Sequence, residues 1–226
     1  MTGPIVVIDY GAGNLRSVAR ALAHVDEGPV ISADPADIDR AGAIVLPGVG
    51  AAADTMSNLV SRNLVEPLLQ YIAAGRPFLG VCMGLQALFE RSEEGGGVEC
   101  LGVLPGEARR FVAGEGRKVP HMGWNTVDWV RSHPVATGIP SGSYFYFVHS
   151  YYPWTDADGL ALGTTDYGVT FPSIVARDNV VAAQFHPEKS GEHGLQIYAN
   201  FVAWARAGAP IPDDPIALRA GGAPDV

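Results

Sequence analysis

The chain has 226 residues, 47% of them hydrophobic, and 24 acidic against 15 basic residues for a formal charge of −9. That length suits one domain with a sizeable core, and so acidic a surface disfavours nucleic acid or anionic membrane as partners. The longest apolar runs are broken by Pro and Gly short of a bilayer span, the start MTGPIVVIDYG has no basic leader region, and two cysteines in unlike settings make no disulfide framework, so a soluble cytoplasmic protein with reduced thiols and no signal peptide is expected.

PIVVIDYG (residues 4–11) reads as a buried strand stopped by glycine, and NLRSVARALAHV (14–25) as a helix that Asn14 can cap. PVIS and GAIVLPG are two further short apolar runs. MSNLVSRNLVEPLLQYIAAG reads as one helix ending at Gly75, PFLGV as a buried strand, and GLQALFERSEE as a helix. Such alternation implies a parallel sheet covered on both faces.

After EEGGGVEC the pattern turns β-rich: ARRFV, KVPHMGWNTVDWV, SYFYFVHSYY, LALGTTDYG, PSIVARD and NVVAAQFHPE carry Val, Tyr, Phe and Thr between turn residues. A hairpin is expected at Arg177-Asp178-Asn179. An amphipathic helix over 192–208 closes the domain, taken as residues 1–208, and the Pro- and Gly-dense tail 209–226 is expected to fray. The fold expected is α/β: a single domain with a mixed, mostly parallel sheet flanked by helices and a β-rich second half.

GVCMG (80–84) has the G-x-nucleophile-x-G form of a strand-to-helix elbow. Such a tight turn forces strained backbone angles on the central residue, and neighbouring Cβ atoms would clash. It stands the sulfur beside the first N–H groups of a helix, where a thiolate and an oxyanion are both stabilised. Taken alone, the motif fits a small buried hydrophobe at a βα turn about as well as a nucleophile. A nucleophile needs a base and the base an orienter, and QFHPEK offers His186 and Glu188, two residues apart on one side of an extended chain. A surface histidine beside an incidental acid is the plainer alternative. Gly48 and Gly50 in LPGVG let backbone approach a ligand, so Val49 N–H could join Met83 N–H at an oxyanion. DYGAGNLRS starts like a dinucleotide fingerprint but has Arg16 at the third glycine position, which argues for a tight turn instead. His121 and His149 could line a cleft, while His24, His133 and His193 have no such setting. No pair has metal-ligand spacing, so neither metal nor cofactor is expected.

Together PGVGA, GVCMGLQ and HPEKS, in that order, resemble the class I (triad-type) glutamine amidotransferases, of flavodoxin-like fold, over about residues 5–204. DYGAGNLRSV, VPHMGWN and YFYFVHSYY resemble the branch of that family serving a cyclase of histidine biosynthesis. The resemblance implies Cys82 as nucleophile, His186 as general base and acid, and Glu188 as its orienter. It implies an oxyanion hole from the Val49 and Met83 backbone, whose loop rearranges before it works, and L-glutamine held by Gly50, Gln86, His149, Ser150 and Tyr151. It further implies a heterodimer with a (β/α)8-barrel cyclase that receives the ammonia, with Asn14 and Lys189 at the interface. The alternatives are a glutaminase feeding pyridoxal phosphate or purine synthesis, and a cysteine-nucleophile α/β-hydrolase, whose acid normally precedes its histidine. Cys100 is read as structural.

Overall fold

The computed structural model describes residues 3–11, 13–25, 28–114 and 117–210, so the tail expected from 209 lies outside the described residues beyond Pro210. A nine-stranded sheet runs through the molecule. Its first half holds β1 (Ile5–Ile8), β2 (Val30–Ser32), β3 (Ala43–Leu46) and β4 (Phe78–Val81). The second half adds β8 (His121–Trp129), β9 (Ser143–His149), β11 (Ala161–Asp166), β12 (Thr170–Arg177) and β13 (Val180–Ala183). The order is β2-β1-β3-β4-β13-β12-β11-β8-β9. The neighbours from β2 to β13 pair parallel, and those from β13 to β9 antiparallel. The sheet is therefore mixed, with parallel and antiparallel pairings in equal share where the sequence suggested a parallel majority. The chain returns through the hairpin at Asp178, at φ 51°, to lay β13 beside β4.

Strands β1, β3, β4 and β13 are buried at every residue because both faces are covered, while the edge strand β2 leaves Val30 and Ile31 exposed. In β1 Ile5 and Val7 enter one core and Val6 and Ile8 the other; Ala43 and Val45 of β3 alternate likewise with Ile44 and Leu46. Helices α1 (Leu15–Val25) and α6 (Gly191–Arg206) cover the first face, through Val18, Leu22, Ile197 and Phe201. Helices α2 (Pro35–Arg40), α3 (Ala52–Ser61) and α4 (Val65–Ala73) cover the second, through Ile38, Leu59 and Leu68.

Two helices differ from expectation. The single helix expected to end at Gly75 is split into α3 and α4, because Asn63 takes left-handed φ of 57° and the Leu64 N–H turns back to the Leu59 carbonyl at 2.9 Å. Gly75 does end the second piece, at φ 72°. After the elbow only α5 (Met83–Gln86) is α-helical. The carbonyls of Ala87, Leu88 and Phe89, which a longer helix would use, instead accept N–H groups from residues 101–104. The chain passes into β5 (Arg91–Ser92) and β6 (Val98–Glu99), which with β7 (Glu107–Arg110) and β10 (Tyr151–Trp154) make a separate four-stranded sheet, order β10-β7-β5-β6. The segment SYFYFVHSYY thus belongs to two sheets, broken at Ser150.

Candidate active site

Cys82 sits between β4 and α5 at φ 55°, a left-handed value that costs a non-glycine residue on the order of 1–3 kcal/mol and persists where surrounding contacts enforce it. The enforcement is visible. Its N–H bonds the Ala183 carbonyl of β13 at 2.7 Å. A Cβ on Gly84 would lie 1.9 Å from the Leu46 carbonyl oxygen, and one on Gly80 2.8 Å from that of Gly84. The elbow glycines are required by backbone packing. The sulfur accepts a long contact from Gln184 Nε2 at 3.7 Å.

Cys82 opens into a cavity of about 440 Å³, a size that suits a small ligand. Val49, Gly50, Met83, Gln86, His149, Ser150, Tyr151, His186 and Lys189 all line it. Nearly every residue singled out in the sequence therefore meets at one place, at the carboxyl ends of β3, β4 and β13. Asn14 and Glu188 stand behind His186 and do not line that cavity.

His186 and Glu188 are not on a shared strand. β13 ends at Ala183, His186 remains extended, and residues 187–189 form a 3₁₀ turn. That turn brings Glu188 Oε1 to 2.7 Å from His186 Nδ1, with both side chains buried. The bond to the carboxylate makes Nδ1 the donor and leaves Nε2 facing the cavity, buried and with no well-formed hydrogen bond. Burial alone would push the imidazole pKa down. The neighbouring Cys82 and Glu188 side chains overcome that and raise it to about 10.

The carboxylate is itself caged. Asn14 Nδ2 donates to Oε1 at 2.5 Å, and the Tyr198 hydroxyl of α6 donates to Oε2 at 3.3 Å. Burial first, and the carboxylate second, hold the Tyr198 phenol well above its ordinary pKa, so it stays a donor. Asn14, expected at a partner interface, turns its amide inward onto the Glu188 carboxylate, at φ 72°. Lys189 is exposed, with Nζ 5.7 Å from the centre of the Tyr146 ring.

The opposite wall is organised around one carbonyl. The Tyr151 oxygen accepts from Gln86 Nε2 at 2.9 Å and from His149 Nδ1 at 2.7 Å. His149 Nε2 must then accept, from His121 Nδ1 at 2.9 Å, and His121 Nε2 lies 3.2 Å from Asn125 Nδ2. Burial lowers the pKa of His121 to about 4 and that of His149 to about 3, so both rings are neutral. Gln86 also donates to Gln184 Oε1 at 2.9 Å, and its own Oε1 is buried without a partner.

The Val49 and Met83 N–H groups do not converge on one point. The Gly48 carbonyl accepts the Met83 N–H at 3.4 Å. In a trans peptide the N–H opposes the C=O, so Val49 N–H is directed away from Met83. Glu94 fastens the far end of this loop, its Oε2 accepting the Ala52 N–H at 2.6 Å.

Sequence reasoning missed Gln184, Glu94, Tyr198 and the His121–Asn125 support. Only Gln184 carried a signal, a polar residue inside VVAAQF two positions before His186. Among the described residues no group of three or more His, Cys, Asp or Glu is arranged to hold a metal ion.

An elbow thiol, a buried imidazole–carboxylate pair and a small-ligand cavity at the carboxyl edge of a two-faced sheet define a thiol amidotransferase. The family model for class I glutamine amidotransferases matches residues 6–204, and the chain belongs to that family. Among relatives, the imidazole glycerol phosphate synthase subunit HisH of Desulfitobacterium hafniense is 48% identical over 92% of this chain and 97% of its own. The subunit of the same name from Nitrosococcus oceani is 52% identical over 88% and 97%. These relatives place the chain in the HisH branch of the family. A crystal structure titled glutamine amidotransferase shares the fold, with a TM-score of 0.71 at 17% identity over 89% of this chain and 98% of that one.

Proposed function

We propose that the chain hydrolyses L-glutamine through Cys82, His186 and Glu188 and passes the ammonia directly to a cyclase subunit. It is the glutaminase subunit of an imidazole glycerol phosphate synthase and serves histidine biosynthesis; the relatives' shared name and their 48–52% identity favour this over purine or pyridoxal phosphate synthesis. The observation that carries the mechanism is the His186 ring, clamped to Glu188 at 2.7 Å on one nitrogen and bare on the other, in the same cavity as the thiol.

Cys82 Sγ gives its proton to His186 Nε2 and attacks the side-chain amide carbon of glutamine. His186 Nε2 delivers the proton to the departing nitrogen, so that ammonia leaves and a thioester forms. His186 then takes a proton from water, which attacks the thioester and releases glutamate and the thiol. Glu188 keeps the proton of Nδ1 in place throughout. Gln86 Oε1, a buried acceptor without a partner, suits an N–H donor of the bound glutamine, while Gly50, His149, Ser150 and Tyr151 shape the cradle. Met83 and a re-oriented Val49 N–H stabilise the oxyanion.

The partner is a (β/α)8-barrel cyclase docked over the cavity mouth in a heterodimer. β8 and β9 leave Met122, Trp124 and Tyr144 exposed at 62%, 56% and 59%, on a face they share with Val148 and Tyr146 through the antiparallel register. Val148 lines the cavity, and the Tyr146 backbone exchanges hydrogen bonds with His186 and Ser190. A partner on this stripe would close the cavity and touch the strand whose Tyr146 carbonyl accepts the His186 N–H. Lys189 stands at the same rim, and Asn14 couples to it through Glu188. Both free cysteines suit a cytoplasmic, reducing setting, and among the described residues no helix is long and apolar enough to cross a membrane.

The test is glutamate release by the isolated chain and by the chain with cyclase and its nucleotide. One missing oxyanion donor corresponds to a rate about 10²–10³ lower in the isolated chain. Equal rates in the two conditions would remove the coupling, and a glutamine-like diazo-ketone that failed to label Cys82 would remove the mechanism.

A further inference from the structure

The loop Gly48–Gly50 separates two cavities. On one side is the catalytic cavity. On the other lies a smaller one of about 290 Å³, lined by Tyr10, Gly11, Gly13, Val49, Gly50 and Thr55, among others. Tyr10 is 1% exposed, and its hydroxyl has no hydrogen-bond partner of ordinary geometry, although the Thr55 side chain is near enough to act on it. Burial raises the phenol pKa to about 12, so the group is a neutral O–H donor at any working pH. Buried donors without acceptors are rare in folded proteins and call for a reason.

The hydroxyl lies against Gly48. A Cβ built on that glycine would come within 2.3 Å of the Tyr10 oxygen. The residue whose carbonyl now occupies the Met83 N–H is therefore the residue the orphan hydroxyl touches.

Consider the Gly48–Val49 peptide turned by half a revolution. The Val49 N–H moves to the Met83 side and completes a two-donor oxyanion site, while the Gly48 carbonyl moves to the opposite face. The turn changes ψ of Gly48 and φ of Val49 together. Val49 is not among the residues at positive φ, so a half turn carries it there, into a region that strains a β-branched side chain. The turned state also gives up the Met83–Gly48 hydrogen bond. It needs an interaction that the resting state lacks.

We propose that the Tyr10 hydroxyl supplies it, donating to the Gly48 carbonyl once the peptide has turned and so holding the oxyanion site assembled. Tyr10 is then a positioning residue. It touches neither glutamine nor the reacting atoms, and it acts through the loop. The inference rests on the reading that the Val49 and Met83 N–H groups bind the oxyanion of a Cys82 thioester reaction.

The experiment compares Tyr10→Phe, Cys82→Ala and the unaltered chain, each in complex with the cyclase and its nucleotide, by glutamate release and thermal midpoint. Tyr10→Phe removes one oxygen that has no hydrogen bond of ordinary geometry in the resting state. It is expected to lower kcat about tenfold with KM within about twofold, the loss that one hydrogen bond made only in the turned state produces. Its thermal midpoint is expected to equal or exceed that of the unaltered chain. An unchanged kcat overturns the proposal, and so does a fall in kcat matched by a lowered midpoint, which would make the hydroxyl structural. If Cys82→Ala retains turnover, the thiol reading itself fails, whatever Tyr10→Phe does.

Discussion

The His186–Glu188 corner and the Gly48–Gly50 loop face each other across one cavity and differ in how they are held. At the corner every side-chain nitrogen and oxygen but one is occupied: Glu188 receives His186, Asn14 and Tyr198, and the His186 backbone is bonded to Tyr146. The one bare atom, Nε2, faces the cavity that Cys82 lines. In the loop the Gly48 carbonyl occupies the Met83 N–H, a carbonyl where the proposed reaction needs a donor. Under the proposed function, the groups that move protons are set in advance and those that stabilise negative charge are not, a division that spares glutamine until a partner turns the loop.

The largest test removes the sulfur. Cys82→Ala is expected to abolish glutamate release, because no other group lining the cavity can form the thioester.

Glu188→Gln separates the corner from the loop more finely. It keeps the shape, removes the charge, and is expected to lower kcat about 10²–10⁴-fold in the assembled enzyme. It also moves the alkaline limit of activity. Burial lowers the His186 pKa and the Cys82 and Glu188 side chains raise it, to about 10; without the carboxylate the limit shifts below that value. The folded chain holds this proton more tightly than the unfolded chain, so the stabilisation is complete below the ordinary histidine pKa of about 6.5 and is lost as pH rises through about 10. The midpoint difference between Glu188→Gln and the unaltered chain should therefore be widest in mild acid and narrow above pH 10; a constant difference would contradict the assignment.

Trp124→Ala addresses the partner that is to turn the loop. It should weaken cyclase binding by about 30-fold, in the range of an exposed aromatic anchor, and leave the isolated chain's slow rate as it was. Titration calorimetry with the cyclase decides it. Asn14→Ala is expected to be mildest, lowering kcat/KM about 5–10-fold by freeing one carboxylate oxygen of Glu188. If it instead abolished only partner binding, the interface role expected from the sequence would be its whole role.

How much of this was legible beforehand follows the range of the forces. The two-face alternation of β1 and β3 and the hairpin at Asp178 are local patterns, and each was read correctly. The helix after Cys82 was overextended because its competitors, the N–H groups of residues 101–104, lie in a loop that no helical periodicity reveals. Asn14 was assigned to a surface because its partner is 174 residues away. Tyr151 was named only through the family resemblance; that its carbonyl organises one wall of the cavity has no local pattern, since every residue has a carbonyl.

The sequence by itself determined the elbow, the reactive residue types and the strand–helix alternation of the first half, because glycine sterics and side-chain period act over a few residues. Only the tertiary structure decided that Asn14 and Tyr198 brace Glu188, that the Tyr151 carbonyl sets the tautomer of His149, and that the Gly48–Val49 peptide turns its N–H away from Met83. Those depend on hydrogen bonds between distant segments, whose geometry exists only after the sheet has brought the segments together.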